Sequence, residues 1–319
     1  MRHRFEVRAP DGVRLAAWAE GPADRPAVLL VHGYPDTHRV WDVVADALSA
    51  DWHVLRYDVR GAGESDRPAD RTAYALSALV ADARAVVAAA GVTGRVHLVG
   101  HDWGSITGWD AVTAPDAAEW IASYTTVSGP GLDQVAAWTQ ARWSHPTPRR
   151  IAPLLRQQAR SWYVGMFQVP RLPEAAWRRA LGPRWVRRLR RTEDIPPATV
   201  HVAPTLTEDA VAGLNLYRAN LPARLGRRTR RDPQPAAVPV QFVVPLRDRY
   251  VSPALAAAGL DSAPAAWWRT IDTGHWGALL TSGSRLAAWV DEFARYVGGG
   301  PETAGLAATK VLPGRPSGD

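Results

Sequence analysis

The sequence has no cysteine, which excludes disulfides, thiol nucleophiles and thiolate metal sites. Lysine is nearly missing: Lys310 stands alone among 38 basic residues, and every other positive side chain is an arginine. No apolar run approaches the length of a membrane span, and the start, Met1-Arg2-His3-Arg4-Phe5-Glu6, has no apolar segment behind its charges. These absences lead us to expect a cytoplasmic protein without an integral membrane segment.

What is present suits one large α/β domain with an insertion: 319 residues, 46% of them hydrophobic. The net charge of +7 is unevenly spread. Thirteen arginines between Arg142 and Arg191 face a single acid, Glu174, and five more lie between Arg224 and Arg231. Such a patch could meet nucleic acid or an anionic membrane surface. No nucleic-acid motif accompanies it, so nucleic acid is not expected as a partner. Peripheral membrane contact through these arginines and attraction of anionic or lipid-like substrates stay open, as do monomer and homodimer.

Hydrophobic periodicity gives the order of elements. Phe5 to Arg8 and Val13 to Ala19 alternate as two strands about a turn at Pro10-Asp11-Gly12. Ala27 to Val31, His53 to Tyr57, Val96 to Val99, Ile121 to Val127, Val238 to Val244 and Trp267 to Asp272 read as further strands, several apolar throughout, as in a parallel sheet covered on both faces. Helical spacing intervenes at Val40 to Leu48 and Leu76 to Ala90, from Ser105 on through Val112 to Trp120, and at Leu286 to Val297. Residues 131 to 222 contain no convincing buried strand. They read as an insertion of helices and loops, and residues 299 to 319, rich in Gly, Pro and Ala, as a disordered tail.

The chemistry centres on Gly100-His101-Asp102-Trp103-Gly104-Ser105, where a strand runs into a helix. A nucleophile between small residues at this spacing makes a nucleophile elbow, a turn too tight for larger neighbours. Its middle residue, Asp102, could equally be an N-cap aspartate. As a nucleophile, a carboxylate attacking saturated carbon would give an ordinary ester, which water can later cleave.

Three motifs in order, His32-Gly33-Tyr34-Pro35, Tyr57-Asp58-Val59-Arg60-Gly61-Ala62-Gly63-Glu64-Ser65-Asp66 and Gly100 to Ser105, resemble the epoxide hydrolase and haloalkane dehalogenase branch of the α/β-hydrolases. The resemblance implies a mostly parallel eight-stranded sheet flanked by helices, with core segments 1–130 and 223–298 and a helical cap at 131–222. It also implies Asp102 as nucleophile and His275, in Thr273-Gly274-His275-Trp276, as the base. Asp248 would orient that base, since Ser128-Gly129-Pro130-Gly131 offers no carboxylate and Asp133 comes only later. The backbone N–H groups of Tyr34 and Trp103 match the family's oxyanion hole, while His32 and His101 are expected to brace loops. Tyr163 and Tyr217 resemble the two cap tyrosines of epoxide hydrolases, suited to donate protons to an opening ring. Trp162 and Phe167 would line the pocket or pack the core.

The expected activity is hydrolysis of a small-molecule, apolar epoxide to a vicinal diol, and fifteen tryptophans permit a large one. Haloalkane dehalogenases are the alternative, but they often carry Asn where Tyr34 stands; a noncatalytic binding protein on the same scaffold is a second. Gly213 to Asn220 and the Gly33 and Tyr57 motifs also resemble the hydrolase half of bacterial epoxide hydrolase/short-chain dehydrogenase fusions. No dehydrogenase fingerprint follows residue 298, so neither a nicotinamide cofactor nor a metal is expected.

Overall fold

The computed structural model of the protein describes residues 2–193, 195–196, 199–225 and 232–311. The alternating segments at the start form an antiparallel hairpin, β1 (His3–Arg8) with β2 (Arg14–Glu20). The apolar runs become β3 (Ala27–Val31), β4 (His53–Tyr57), β5 (Val96–His101), β6 (Ile121–Val127) and β7 (Val240–Pro245), each buried along its whole length. With β8 (Ala266–Ile271) and β9 (Lys310–Val311) they make a sheet of order β1-β2-β4-β3-β5-β6-β7-β8-β9, parallel from β4 to β8.

Alternate strand residues face opposite layers, as the pleat dictates. Val28, Leu30, Val54 and Val99 pack with α1 (Asp42–Leu48) and the closing helix Gly283–Val297, whereas Leu29, Val31, Leu55 and Leu98 pack with α2 (Leu76–Ala89) and α3 (Trp103–Val112). Both faces of the sheet are therefore dry, which is why strands without polar alternation are stable there. This is an α/β-hydrolase fold.

Two sequence expectations are corrected. The sheet has nine strands, because residues 299–311, expected in a disordered tail, carry a helical turn at Ala304–Ala307 and then β9, antiparallel to β8. One apolar side chain decides it: Leu306 is fully buried against Trp267 and Phe293, a contact that average composition does not register. Residues 312–319 of that tail lie outside the described residues. Helix α3 also stops at Val112, and Ala117–Trp120 is a separate helical turn, α4.

Between β6 and β7 the described residues hold six α-helices and no strand: α5 (Leu132–Ser144), α6 (Pro148–Arg160), α7 (Trp162–Gln168), α8 (Leu172–Ala176), α9 (Trp185–Glu193) and α10 (Leu206–Leu225). They form the inserted cap over the carboxyl ends of the strands. Four of the five arginines between Arg224 and Arg231 lie outside the described residues.

Candidate active site

Asp102 sits between β5 and α3 with φ 52° and ψ −120°, a conformation that costs a non-glycine residue on the order of 1–3 kcal/mol. The glycines around it have no room for a side chain. A Cβ on Gly104 would stand 2.1 Å from the Val31 carbonyl oxygen, and one on Gly33 would stand 2.4 Å from the Asp102 Cβ. This packing pushes the carboxylate out above the sheet, where 15% of the side chain remains exposed to a cavity. An N-cap role is not realised, because the Asp102 side chain makes no cap hydrogen bond to α3.

The two carboxylate oxygens have different surroundings. Oδ1 accepts the Tyr34 backbone N–H at 2.8 Å, and the Trp103 N–H also stabilises the carboxylate. Oδ2 faces His275 Nε2 at 3.7 Å. Burial pushes the Asp102 carboxyl above its usual range, with His275 and the two N–H groups opposing that rise. On its other side the imidazole is held by Asp248, whose Oδ2 lies 2.9 Å from Nδ1. Asp248 is in turn fixed by the N–H groups of Tyr250 and Val251, at 2.7 and 3.0 Å from Oδ1. Burial would raise Asp248, but the His275 charge and these donors hold it below the ordinary carboxylate range.

Burial alone would lower the His275 pKa. The carboxylates of Asp248, Asp102 and Glu193 outweigh burial and raise it to about 9. In the resting site, then, an imidazolium lies between carboxylates. Asp133 is engaged elsewhere, in an ion pair with Arg224 at 2.7 Å.

Across the cavity stand Tyr163 of α7 and Tyr217 of α10, their rings 6.2 Å apart. Burial and the Asp102 charge push both hydroxyls well above their usual pKa, with Tyr250 adding to the rise at Tyr163 and Tyr163 adding to it at Tyr217, so both keep their protons. The Tyr217-Arg218-Ala219-Asn220 stretch shows how they are aimed. Arg218 donates to the carbonyls of Phe167 and Val169, at 2.9 and 3.0 Å, and pairs with Glu174, which ties α10 to the helices that carry Tyr163. Asn220 accepts the Leu76 N–H at 2.9 Å and donates to the Tyr74 carbonyl at 2.8 Å, which bolts α10 to the core.

Phe167 packs against Tyr217 at 4.9 Å and against Tyr34, and it lines the cavity. Trp162 lines it too, but at 65% exposure it stands on the rim, so core packing is excluded for that residue. His32 joins Gly33 O to the Val59 N–H, and His101 contacts the His275 carbonyl at 3.1 Å; both lie in bracing positions.

Three neighbours were not anticipated from sequence. Tyr250 edges against both Tyr163 and His275, at 5.6 and 5.0 Å, and its nearness to Asp248 in sequence was the available signal. Asp36, four residues after His32, accepts the Trp276 indole N–H at 2.9 Å; burial lifts its carboxyl to about 7. Glu193 of α9 reaches down from the cap to accept the Trp276 N–H at 3.3 Å, and its carboxylate fills the space that a Cβ at position 274 would take. No spacing signal in the sequence marks Glu193.

Two cavities, of about 280 and 890 Å³, meet at this point, and Asp102, Tyr163, Tyr217 and Tyr250 border both. The arrangement gathers a carboxylate, an imidazole held by a second carboxylate, and two protonated phenols on the opposite wall.

A family model described as the alpha/beta hydrolase fold matches residues 26–280. Probable oxidoreductase EphD of Mycobacterium tuberculosis (strain ATCC 25618 / H37Rv) is 35% identical over 318 residues, covering 98% of this chain and 52% of that protein. The chain thus spans about half the length of the curated relatives it matches. Epoxide hydrolase 4 of Mus musculus is 33% identical over 170 residues, 53% of this chain and 43% of that one. A crystal structure of Bacillus megaterium epoxide hydrolase with an inhibitor superposes with a TM-score of 0.71 at 19% identity, covering 91% of this chain and 99% of that one. A likeness at that identity speaks to the fold alone.

Proposed function

Since the chain belongs to the α/β-hydrolase superfamily, in its epoxide-hydrolase branch, we propose that it hydrolyses an epoxide to a vicinal diol through a covalent ester on Asp102. One observation carries the reading: an elbow carboxylate, where a serine esterase would have a hydroxyl, lies between the Asp248-held His275 and two protonated phenols.

The split environment of Asp102 assigns its oxygens. Oδ1 is held by the Tyr34 N–H, so Oδ2 attacks an epoxide carbon. As the Oδ2–carbon bond forms, the ring carbon–oxygen bond breaks, and its electron pair goes to the ring oxygen. Tyr163 and Tyr217 hydrogen-bond that oxygen, and one of them gives it a proton.

Esterification removes the Asp102 charge, one of the three that raise the His275 pKa. The imidazolium then passes its proton more readily, by way of water, to the tyrosinate left by ring opening, and it becomes a base for the second step only after the first is complete. Its Nε2 takes a proton from water as the hydroxide adds to the Asp102 carbonyl carbon. The oxyanion forms on Oδ1, which already accepts the Tyr34 N–H, with the Trp103 N–H also stabilising the carboxylate. Collapse breaks the carbonyl carbon–Oδ2 bond, His275 gives its proton to the departing alkoxide and then takes the proton left on the Asp102 carboxyl, which restores the resting carboxylate and imidazolium. Side chains and water carry every proton in this cycle, so it calls for no cofactor.

The test is diol formation by the purified protein on terminal aryl, internal disubstituted and long-chain epoxides, with haloalkanes assayed in parallel. Diol without halide is expected. Halide without diol would turn the reading to dehalogenation, and silence on both would favour a binding protein. In a single turnover in ¹⁸O-water, the first diol should carry no label, because its new oxygen comes from Asp102.

A further inference from the structure

The two cavities differ at their far ends. The larger is bordered mainly by apolar side chains such as Leu132, Trp138, Leu154 and Val164; the guanidinium there, Arg224, is already neutralised by Asp110 and Asp133, at 2.9 and 2.7 Å. The smaller is bordered by three arginines from three segments: Arg160 at the end of α6, Arg188 in α9 and Arg249 beside Asp248. Among the described residues none of these three is paired with a carboxylate.

Two of them are nevertheless held in place. Arg160 Nη1 donates to the Asp248 carbonyl at 2.8 Å, and Arg188 hydrogen-bonds the Tyr250 phenol. A guanidinium has five N–H groups, so each anchored arginine keeps most of its donors for something else. Like charges converging on one opening repel one another, and an anion between them relieves that repulsion. The aromatic wall below, with the buried Trp177 and Trp185, suits an apolar connecting segment.

We propose that Arg160, Arg188 and Arg249 form a subsite for the anionic terminus, carboxylate or phosphate, of an amphiphilic substrate that lies through both cavities past Asp102, with its apolar remainder in the larger one. The proposal rests on the epoxide-hydrolase reading for the group at Asp102, and it names the class of epoxide: an amphiphile with an acidic end close to the ring. Planar guanidinium forks match two-oxygen acceptors of this kind.

The experiment compares kcat/KM for an epoxy fatty acid, its methyl ester and an alkyl-phosphate epoxide of matched length, in the wild type and in R188Q/R249Q. An anionic substrate should be preferred over the ester by at least about tenfold, with the preference reduced by added salt and lost in the double variant. The ratio is internal to each protein, so a general loss of activity cancels. The better of the two anions identifies the terminus. Equal turnover of acid and ester by the wild type, or an unchanged ratio in the variant, overturns the proposal.

Binding of the saturated fatty acid and its methyl ester, measured by calorimetry, needs no turnover. If no epoxide yields diol but the acid still binds more tightly than the ester in the wild type alone, the reaction is wrong and the anion subsite stands. If diol forms but neither kcat/KM nor binding favours the anion, the subsite is wrong and the reaction stands.

Discussion

At the scale of single residues, the site turns on how charge is shared among Asp102, His275 and Asp248. Under the proposed mechanism, replacing His275 with Gln removes the base of the second step but leaves the nucleophile, so the ester should accumulate. Intact-protein mass spectrometry should then show an adduct of the mass of one epoxide, absent in Asp102→Asn. Steady-state diol formation should fall by at least about 10⁴-fold in both variants. A second expectation concerns pH. The His275 pKa of about 9 lies above its unfolded value near 6.5, so its bound proton stabilises the fold fully below pH about 6.5. That contribution is lost as the pH rises toward 9, and Tm should fall more steeply across this window in the wild type than in His275→Gln. In the ester the Asp102 charge is gone, so the rate of ester hydrolysis should rise with pH around a midpoint below about 9. Stopped-flow decay of the intermediate reads it directly, and a midpoint at or above 9 would count against the proposed sequence of steps.

At the scale of elements, α10 is the part whose placement matters most, because it carries Tyr217 and is tied to both the other cap helices and the core. The Tyr217-Arg218-Ala219-Asn220 stretch is legible in the sequence as a resemblance, but the reason for its composition is geometric. Tyr217 faces Asp102 across the cavity while Arg218 and Asn220 hold its helix in register. Asn220→Ala would leave the buried Leu76 N–H and Tyr74 carbonyl without partners. A loss of about 2–3 kcal/mol in urea unfolding is expected, together with a lower rate of ester formation. A variant that loses stability while forming ester at the wild-type rate would show that α10 is not what positions the phenol. The strand-helix elbow, by contrast, reads straight from its glycines. Steric closure there is local: a Cβ on Gly104 meets a carbonyl oxygen of the neighbouring strand.

At the scale of the whole molecule, the chain closes its sheet on an edge strand that composition assigns to a tail. Strand β9 and the turn before it cover Trp267 and Phe293 through Leu306. Ending the chain at residue 299 should therefore cost about 2–3 kcal/mol of stability, read as a lower Tm, with the site geometry and the diol rate at 25 °C retained because β9 lies at the far edge from Asp102. A truncated chain with unchanged Tm would mean that this edge contributes nothing.

The sequence by itself determined the order along the chain of eight of the nine strands and the elbow that presents Asp102, and it offered Asp248 and His275 as candidates in the loops after β7 and β8, because tight turns and buried parallel strands admit few residue types and leave short, local patterns. Tertiary structure alone decided what comes from distant segments. Glu193 against the His275 loop, Tyr250 beside Tyr163 and three arginines on one cavity are juxtapositions across long stretches of chain. No local rule fixes them: they follow from how the cap helices pack on the core, where many surface arginines look alike in sequence and only a few end beside the site.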